Sequence, residues 1–151
     1  MANFYTSLPV EQMAWQVAKL INTHNKLRTQ HTSWSIMNSP ATYFTELYGD
    51  KVVGCSAIIR ETETVSRQFH LCVEPNYRRR GIARKLKRLS LSHVQTPFVY
   101  VTIRQDNAAS VALNMSEGFK YVKQDWAGHY YVLVFAKDLR KPQEGYHGNW
   151  R

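Results

Sequence analysis

The sequence predicts an α/β or α+β sandwich built on one mixed sheet, and three observations carry that reading. Runs of β-branched and aromatic residues recur between turn signals, segments with apolar residues three and four positions apart lie among them, and the 151-residue length suits one domain. At this size folding hides roughly 70% of the surface of the unfolded chain. The apolar fraction of 44%, with 13% aromatic, supplies a core.

After a short apolar entry at Phe4 and Tyr5, the residues Val10, Met13, Ala14, Val17, Leu20 and Ile21 form the stripe of an amphipathic helix. Ser7 is placed to cap it, with Pro9 tolerated in the first turn. The polar stretch from Asn22 to Pro40 reads as the end of that helix, a second short helix and a loop. From Thr42 the pattern turns to β. "TYFTELY" and "KVVGCSAIIR" flank Gly49-Asp50 as a hairpin, and a third strand runs from Val65 to Val73, ending before Pro75. A helix from about Gly81 to His93 follows, with Ile82, Leu86 and Leu89 inward and the cations outward. "PFVYVTI" is a strand, Asn107 to Glu117 a short helix closed by Gly118, and Phe119 to Val122 and His129 to Phe135 are the last two strands. One domain is expected over residues 1–138, with 139–151 a polar tail.

Composition narrows the class. The longest apolar run is Val132 to Ala136, far from the roughly 18 residues needed to span a bilayer, and the N-terminus lacks the features of a secretory signal, so a cytoplasmic protein is expected. Cys55 and Cys72 have no partner at metal-ligand spacing and read as buried free thiols; the six histidines are scattered, so no metal site is expected. Net charge is +9. Seven cations, Arg78, Arg79, Arg80, Arg84, Lys85, Lys87 and Arg88, occupy a stretch with no acid, and the rest of the chain carries 13 basic against 11 acidic side chains. Such a field draws anions to one place.

That stretch has a specific chemistry. The strand ending at Val73 feeds, through a proline-containing turn, a loop whose Gly81 sits at the mouth of a helix. Glycine lets the backbone approach a ligand closely, and the first amides of a helix lack intrahelical partners. Phosphates bind there, and flanking arginines add charge-assisted hydrogen bonds, so a pyrophosphate is the better match. The Lys-Ser/Thr pair of a nucleotide P-loop and the three-glycine dinucleotide pattern are both missing.

"LCVEPNYRRRGIARKL" resembles the acetyl-coenzyme A motif of the GCN5-related N-acetyltransferases, the GNAT family, with Val73, Pro75, Arg78, Gly81 and Ala83 at the matching positions. "NAASVALNMSEGFKYV" resembles the family's second motif through Asn107, Ser110, Leu113, Gly118 and Phe119. Both follow the expected strands, and the resemblance covers about residues 42 to 138. It implies a GNAT-like acyl-CoA N-acyltransferase fold with helices on both faces of a mixed sheet, and acetyl-CoA as co-substrate without a metal. Coenzyme A would lie between the strands Ser66 to Val73 and Phe98 to Ile103. Its pantetheine arm would pair with the backbone of Leu71, Cys72 and Val73, and its pyrophosphate would take the amides from Arg79 through Arg80, Gly81 and Ile82 to Ala83. An amide near Leu71 or Cys72 would stabilise the oxyanion.

The chain departs from the family pattern at Asn114, where many members carry a tyrosine thought to protonate the departing thiolate. An amide donates a hydrogen bond but no proton at neutral pH. With an ordinary thiol pKa of about 8.5, the thiolate remains a tolerable leaving group, and Ser110 or a water is placed to assist. Glu63 and His70 are the candidate general bases, with Glu46 across the sheet a third.

The acceptor is an amine of a protein, a metabolite or a nucleic-acid-linked group. Lys85, Arg88, Arg104, Lys120 and Lys123 are either a solvated face or a track for an anionic partner, and Trp34, Trp126, Tyr130 and Tyr131 either stacking surfaces or loop anchors. Polycationic acceptors are disfavoured by charge. A catalytically weak member that binds nucleic acid or a protein partner is the alternative. A monomer or a homodimer is expected.

Overall fold

The computed structural model describes residues 2–5 and 7–140. The strands are β1 (Asn3–Tyr5), β2 (Thr42–Tyr48), β3 (Lys51–Arg60), β4 (Val65–Val73), β5 (Phe98–Arg104), β6 (Lys120–Trp126) and β7 (Tyr131–Asp138), and the helices α1 (Val10–His24), α2 (Ser33–Met37), α3 (Ile82–Ser92) and α4 (Ala108–Ser116). The sheet is mixed and seven-stranded, in the order β1-β2-β3-β4-β5-β7-β6. The chain forms two compact units, residues 1–59 with 68–94 and residues 60–67 with 95–151.

In the first unit β1 pairs with β2 in parallel and β2 pairs with β3 antiparallel through the Gly49-Asp50 turn. The β3 residues from Val52 to Ile58 are buried without a break, as in a strand covered on both faces. One covering layer joins Met13, Ala14, Val17 and Ile21 of α1 to Tyr43, Cys55, Ala57 and Cys72; the other joins Leu86 of α3, with Ile82 against it, to Phe44 and Ile58. Tyr43 and Phe44 thus point to opposite faces, as strand alternation requires.

In the second unit β5 pairs antiparallel with β7 and β7 antiparallel with β6, while Val65–Arg67 of β4 run parallel to Phe98–Tyr100 of β5. Val99, Val101, Ile103, Phe119 and Phe135 are its buried apolar side chains. Gly118, at φ 89°, ends α4, and the Lys137 ammonium donates to the Glu117 carbonyl at 2.7 Å, a cation at a helix C-terminus.

Several local expectations are corrected. Ser7 does not cap α1; the N-cap is Pro9, with no side-chain bond, and Val10 at the helix start is exposed. The entry at Phe4 is a strand, and β6 and β7 run further than their apolar runs suggest, because ladder pairing continues through polar residues. On α3 the inward face is displaced: Leu89 is 39% exposed while Lys87 is 1% exposed. Ile82, Leu86 and Ser90 follow four-residue steps, a row that winds round the helix and brings Lys87 to the buried side. Its ammonium donates to the Gln68 Oε1, and the Gln68 amide donates to Ser90 Oγ at 2.6 Å and to the Lys87 carbonyl at 3.1 Å. Buried polar groups persist where a network satisfies them. Of the expected tail, Leu139 and Arg140 pack back, Leu139 N–H donating to the Pro97 carbonyl at 2.8 Å. Residues 141–151 lie outside the described residues.

Candidate active site

The turn after β4 is built from local rules. Val73 ends the strand, the Glu74 N–H donates to the Val53 carbonyl at 2.8 Å, and Pro75–Tyr77 make one 3-10 turn. Arg79 then takes φ 66° and Gly81 φ 81°, two left-handed residues around Arg80. Left-handed geometry costs a residue bearing a Cβ about 1–2 kcal/mol, so Arg79 marks strain stored at the turn. The first bond of α3 is Lys85 N–H to the Gly81 carbonyl at 3.0 Å, leaving the Ile82 and Ala83 amides without an intrahelical acceptor. Nothing within 4 Å would meet a Cβ added at Gly81, so the approach to these amides is open. Successive amides in such a turn make an anion-binding concavity.

Arg78 and Arg80 divide the work. Arg78 Nε donates to the Val73 carbonyl at 2.9 Å and braces the strand end. Its charge favours the Cys72 thiolate, but burial dominates and pushes that thiol up to about 11. Arg80 donates to the Asn76 carbonyl at 3.3 Å and lies over the Tyr77 ring at 5.0 Å, against which Tyr48 also packs. Both keep unused guanidinium donors, and both are exposed. Glu74, the acid next to the turn, is paired with Lys51 at 2.8 Å. Positive charge, open backbone and orphan amides together fit a diphosphate such as that of acetyl-CoA.

Upstream of the turn, His70 adopts φ 56° within β4, a second non-glycine outlier, directly before Leu71 and Cys72. Its carbonyl accepts from the Cys55 thiol at 3.2 Å, and its Nδ1 meets the Tyr43 hydroxyl at 3.1 Å. Burial drives the Tyr43 phenol well above its usual range despite an opposing hydrogen bond from Ser39. The His31 ring stands edge-on to His70, centroids 4.9 Å apart. His31 is held at its backbone by Asn22, which accepts from the His31 N–H at 2.8 Å and donates to its carbonyl at 2.7 Å. The sequence reading missed His31 and Tyr43. The available signal was Thr32 and Ser35, a capping box that starts α2 and fixes the residue before it.

In the second unit Asn107 caps α4, its Oδ1 accepting from the Ser110 N–H at 3.1 Å. Asn114 is 2% exposed, and its amide nitrogen donates to the Ser110 carbonyl at 2.9 Å and lies 3.4 Å from Ser110 Oγ. Its Oδ1 is buried without a partner. The donors of Asn114 are therefore spent on Ser110, and what remains is an acceptor, the wrong polarity to solvate a thiolate. Glu63 is exposed in the turn before β4, its carbonyl accepting from Arg60 at 3.1 Å. Glu46 pairs with Lys85 at 2.9 Å. Lys123 pairs with Asp125 at 3.4 Å, and Arg104 lies 3.8 Å from Asp106 and over the Tyr130 ring at 3.5 Å, so three of the five cations considered for an anion track have an acid beside them. Among the described residues no group of histidine, cysteine and acidic side chains is arranged to hold a metal, and no helix is long and apolar enough to cross a membrane.

Residues 10–119 match the model of the acetyltransferase (GNAT) family. The N-alpha-acetyltransferase RimI of Mycobacterium tuberculosis (strain ATCC 25618 / H37Rv) is 36% identical over 77 residues, 49% of this chain and 49% of that protein. The chain spans half or less of the length of the curated relatives it matches. Among solved structures, smu.2055 from Streptococcus mutans UA159 superposes with a TM-score of 0.74 at 19% identity, covering 87% of this chain and 96% of that one. The ribosomal-protein-S18-alanine N-acetyltransferase from Escherichia coli does so with a TM-score of 0.70 at 16% identity, covering 92% and 95%. These superpositions show a common fold. The family match takes in the left-handed turn that opens α3, the Asn107 cap of α4 and the Gly118-Phe119 pair that closes it, and on that agreement the chain belongs to the acetyltransferase (GNAT) family.

Proposed function

We propose that the protein transfers an acetyl group from acetyl-CoA to the α-amine at a protein N-terminus. The observation that carries the donor half is the pair of left-handed residues, Arg79 and Gly81, opening a helix whose first amides are unclaimed. The acceptor half is supported by the relative named as an N-alpha-acetyltransferase.

Bound acetyl-CoA supplies an acyl group activated as a thioester. The amides from Arg79 to Ala83 hold the diphosphate, and the backbone of Leu71, Cys72 and Val73 binds the pantetheine arm as an added strand, with the Leu71 or Cys72 amide facing the developing oxyanion. Asn107 and Ser110 order the start of α4. Of the surroundings open to a base, those of His70 are built, half-buried and hydrogen-bonded, whereas Glu63 lies exposed in a turn, so the base belongs to the cluster around His70. A cytoplasmic protein that draws an anionic protein surface to its basic turn is consistent with this role.

Peptides with free and with blocked N-termini, incubated with acetyl-CoA and mapped by mass spectrometry, test the proposal. Acetylation at the free α-amine with matching thiol release is expected; modification of lysine side chains alone, or none at all, would overturn it. Asn114→Tyr restores a proton donor on α4, and kcat is expected to rise at least threefold. An unchanged or lower kcat in a variant that melts like the parent removes thiolate protonation as the limiting deficit.

A further inference from the structure

The pair of imidazoles in the first unit has a protonation pattern that can be worked out from its partners. Ser35 Oγ accepts from the Thr32 N–H at 2.9 Å and donates its single proton to the Thr32 carbonyl at 3.0 Å. The same oxygen lies 3.2 Å from His31 Nδ1. The arrangement that satisfies all three contacts at once has His31 Nδ1 donating to Ser35 Oγ, with the lone pair on Nε2. His70 is the opposite case. Ser39 Oγ accepts from the Ala41 N–H at 3.1 Å, and the Ser39 side chain hydrogen-bonds the Tyr43 hydroxyl. The arrangement in which Ser39 donates to Tyr43 and Tyr43 donates to His70 Nδ1 leaves the His70 hydrogen on Nε2. In this arrangement the residue that the strand places before Leu71 and Cys72 has its Nδ1 lone pair occupied, and the basic nitrogen belongs to its neighbour from the α1–α2 loop.

We propose that His31 Nε2 is the atom that takes the proton from the acceptor ammonium, with His70 and Tyr43 as positioning residues; this rests on the acetyl-transfer reading above. The ammonium gives one proton to Nε2, making a neutral amine and an imidazolium. The nitrogen lone pair forms the C–N bond as the C–S bond breaks, the second nitrogen proton goes to the departing sulfur, and the imidazolium returns its proton to water. Burial lowers the His31 pKa, which keeps the ring neutral and ready at neutral pH. The other titratable groups that β2 and β3 bring to the cluster are Tyr43 and Cys55, both pushed up by burial and so uncharged. From α1 the contact is the uncharged Asn22, and Lys26 and Arg28 of the same loop are exposed.

The test uses the full chain and a peptide with a free N-terminus. His31→Ala is expected to lower kcat/KM about 100-fold, within the range of general-base effects, to flatten the acid limb of the pH profile and to recover rate when free imidazole is added. His70→Gln and Tyr43→Phe are expected to lower kcat by smaller factors with no recovery by imidazole. Nitrogen NMR of the wild-type imidazoles, which needs no substrate, is expected to show the hydrogen on Nδ1 in His31 and on Nε2 in His70. A His31→Ala protein with parental rate and pH profile overturns the assignment, and so does a His31 ring protonated on Nε2. If the wild type acetylates no peptide, the acetyl-transfer reading itself has failed, and the role of His31 goes with it.

Discussion

Gly81→Val is expected to weaken acetyl-CoA binding by at least about 100-fold in calorimetry while lowering the melting temperature by less than about 8 °C. The two effects separate because of where the new carbons go. At φ 81° a β-branched residue is strained by about 1–2 kcal/mol, a modest loss for the fold. No protein atom within 4 Å of the added Cβ would clash, so the side chain fills the space outside the turn. That is the space from which diphosphate oxygens must reach the Ile82 and Ala83 amides, and a few tenths of an ångström of retreat weakens a charge-assisted hydrogen bond sharply. Gly81→Ala carries most of the strain and less of the bulk, and its affinity should fall between the two. Parental affinity in Gly81→Val would remove this turn as the diphosphate site.

Gly54→Val is expected to do the reverse, costing the fold about 2–3 kcal/mol or more in urea unfolding. Gly54 lies in the middle of β3, under α3. A Cβ there would stand 2.9 Å from Leu86 Cδ1, 3.1 Å from Ile82 Cγ2 and 3.4 Å from the Cys72 carbonyl oxygen. Leu86 is fully enclosed with Phe44 and Ile58 and has nowhere to turn, so the helix must lift from the strand. Lifting α3 also moves its first turn, and acetyl-CoA affinity should drop along with stability. An unfolding midpoint equal to the parent's would show that the α3–β3 contact is looser than these distances say.

The left-handed turn that opens α3 was legible because every determinant of it is local. A β-rich run stops before a proline, a glycine precedes a helix-spaced stripe, and the cations cluster between, all within the span from Val73 to Arg88. The Gly49-Asp50 hairpin was readable for the same reason, since a turn residue acts on amides two or three positions away. The two faces of α3 were not. Its cations suggested an all-basic outer face, yet Lys87 is buried because Gln68, on a different element, offers its side-chain oxygen. The role of Asn114 was likewise only half visible. That it is not a tyrosine is plain from the chain, whereas the commitment of its donors to Ser110 depends on how the helix turns.

By itself the amino-acid order determined the strand and helix succession and the glycine turn that opens α3, because these follow from backbone preferences and neighbours within a few residues. Tertiary structure alone brought His31 and Tyr43 against His70. His31, Tyr43 and His70 come from a loop and two strands, and a ring's tautomer is set by whichever donor or acceptor folding places 3 Å away, information that no single segment of the chain contains.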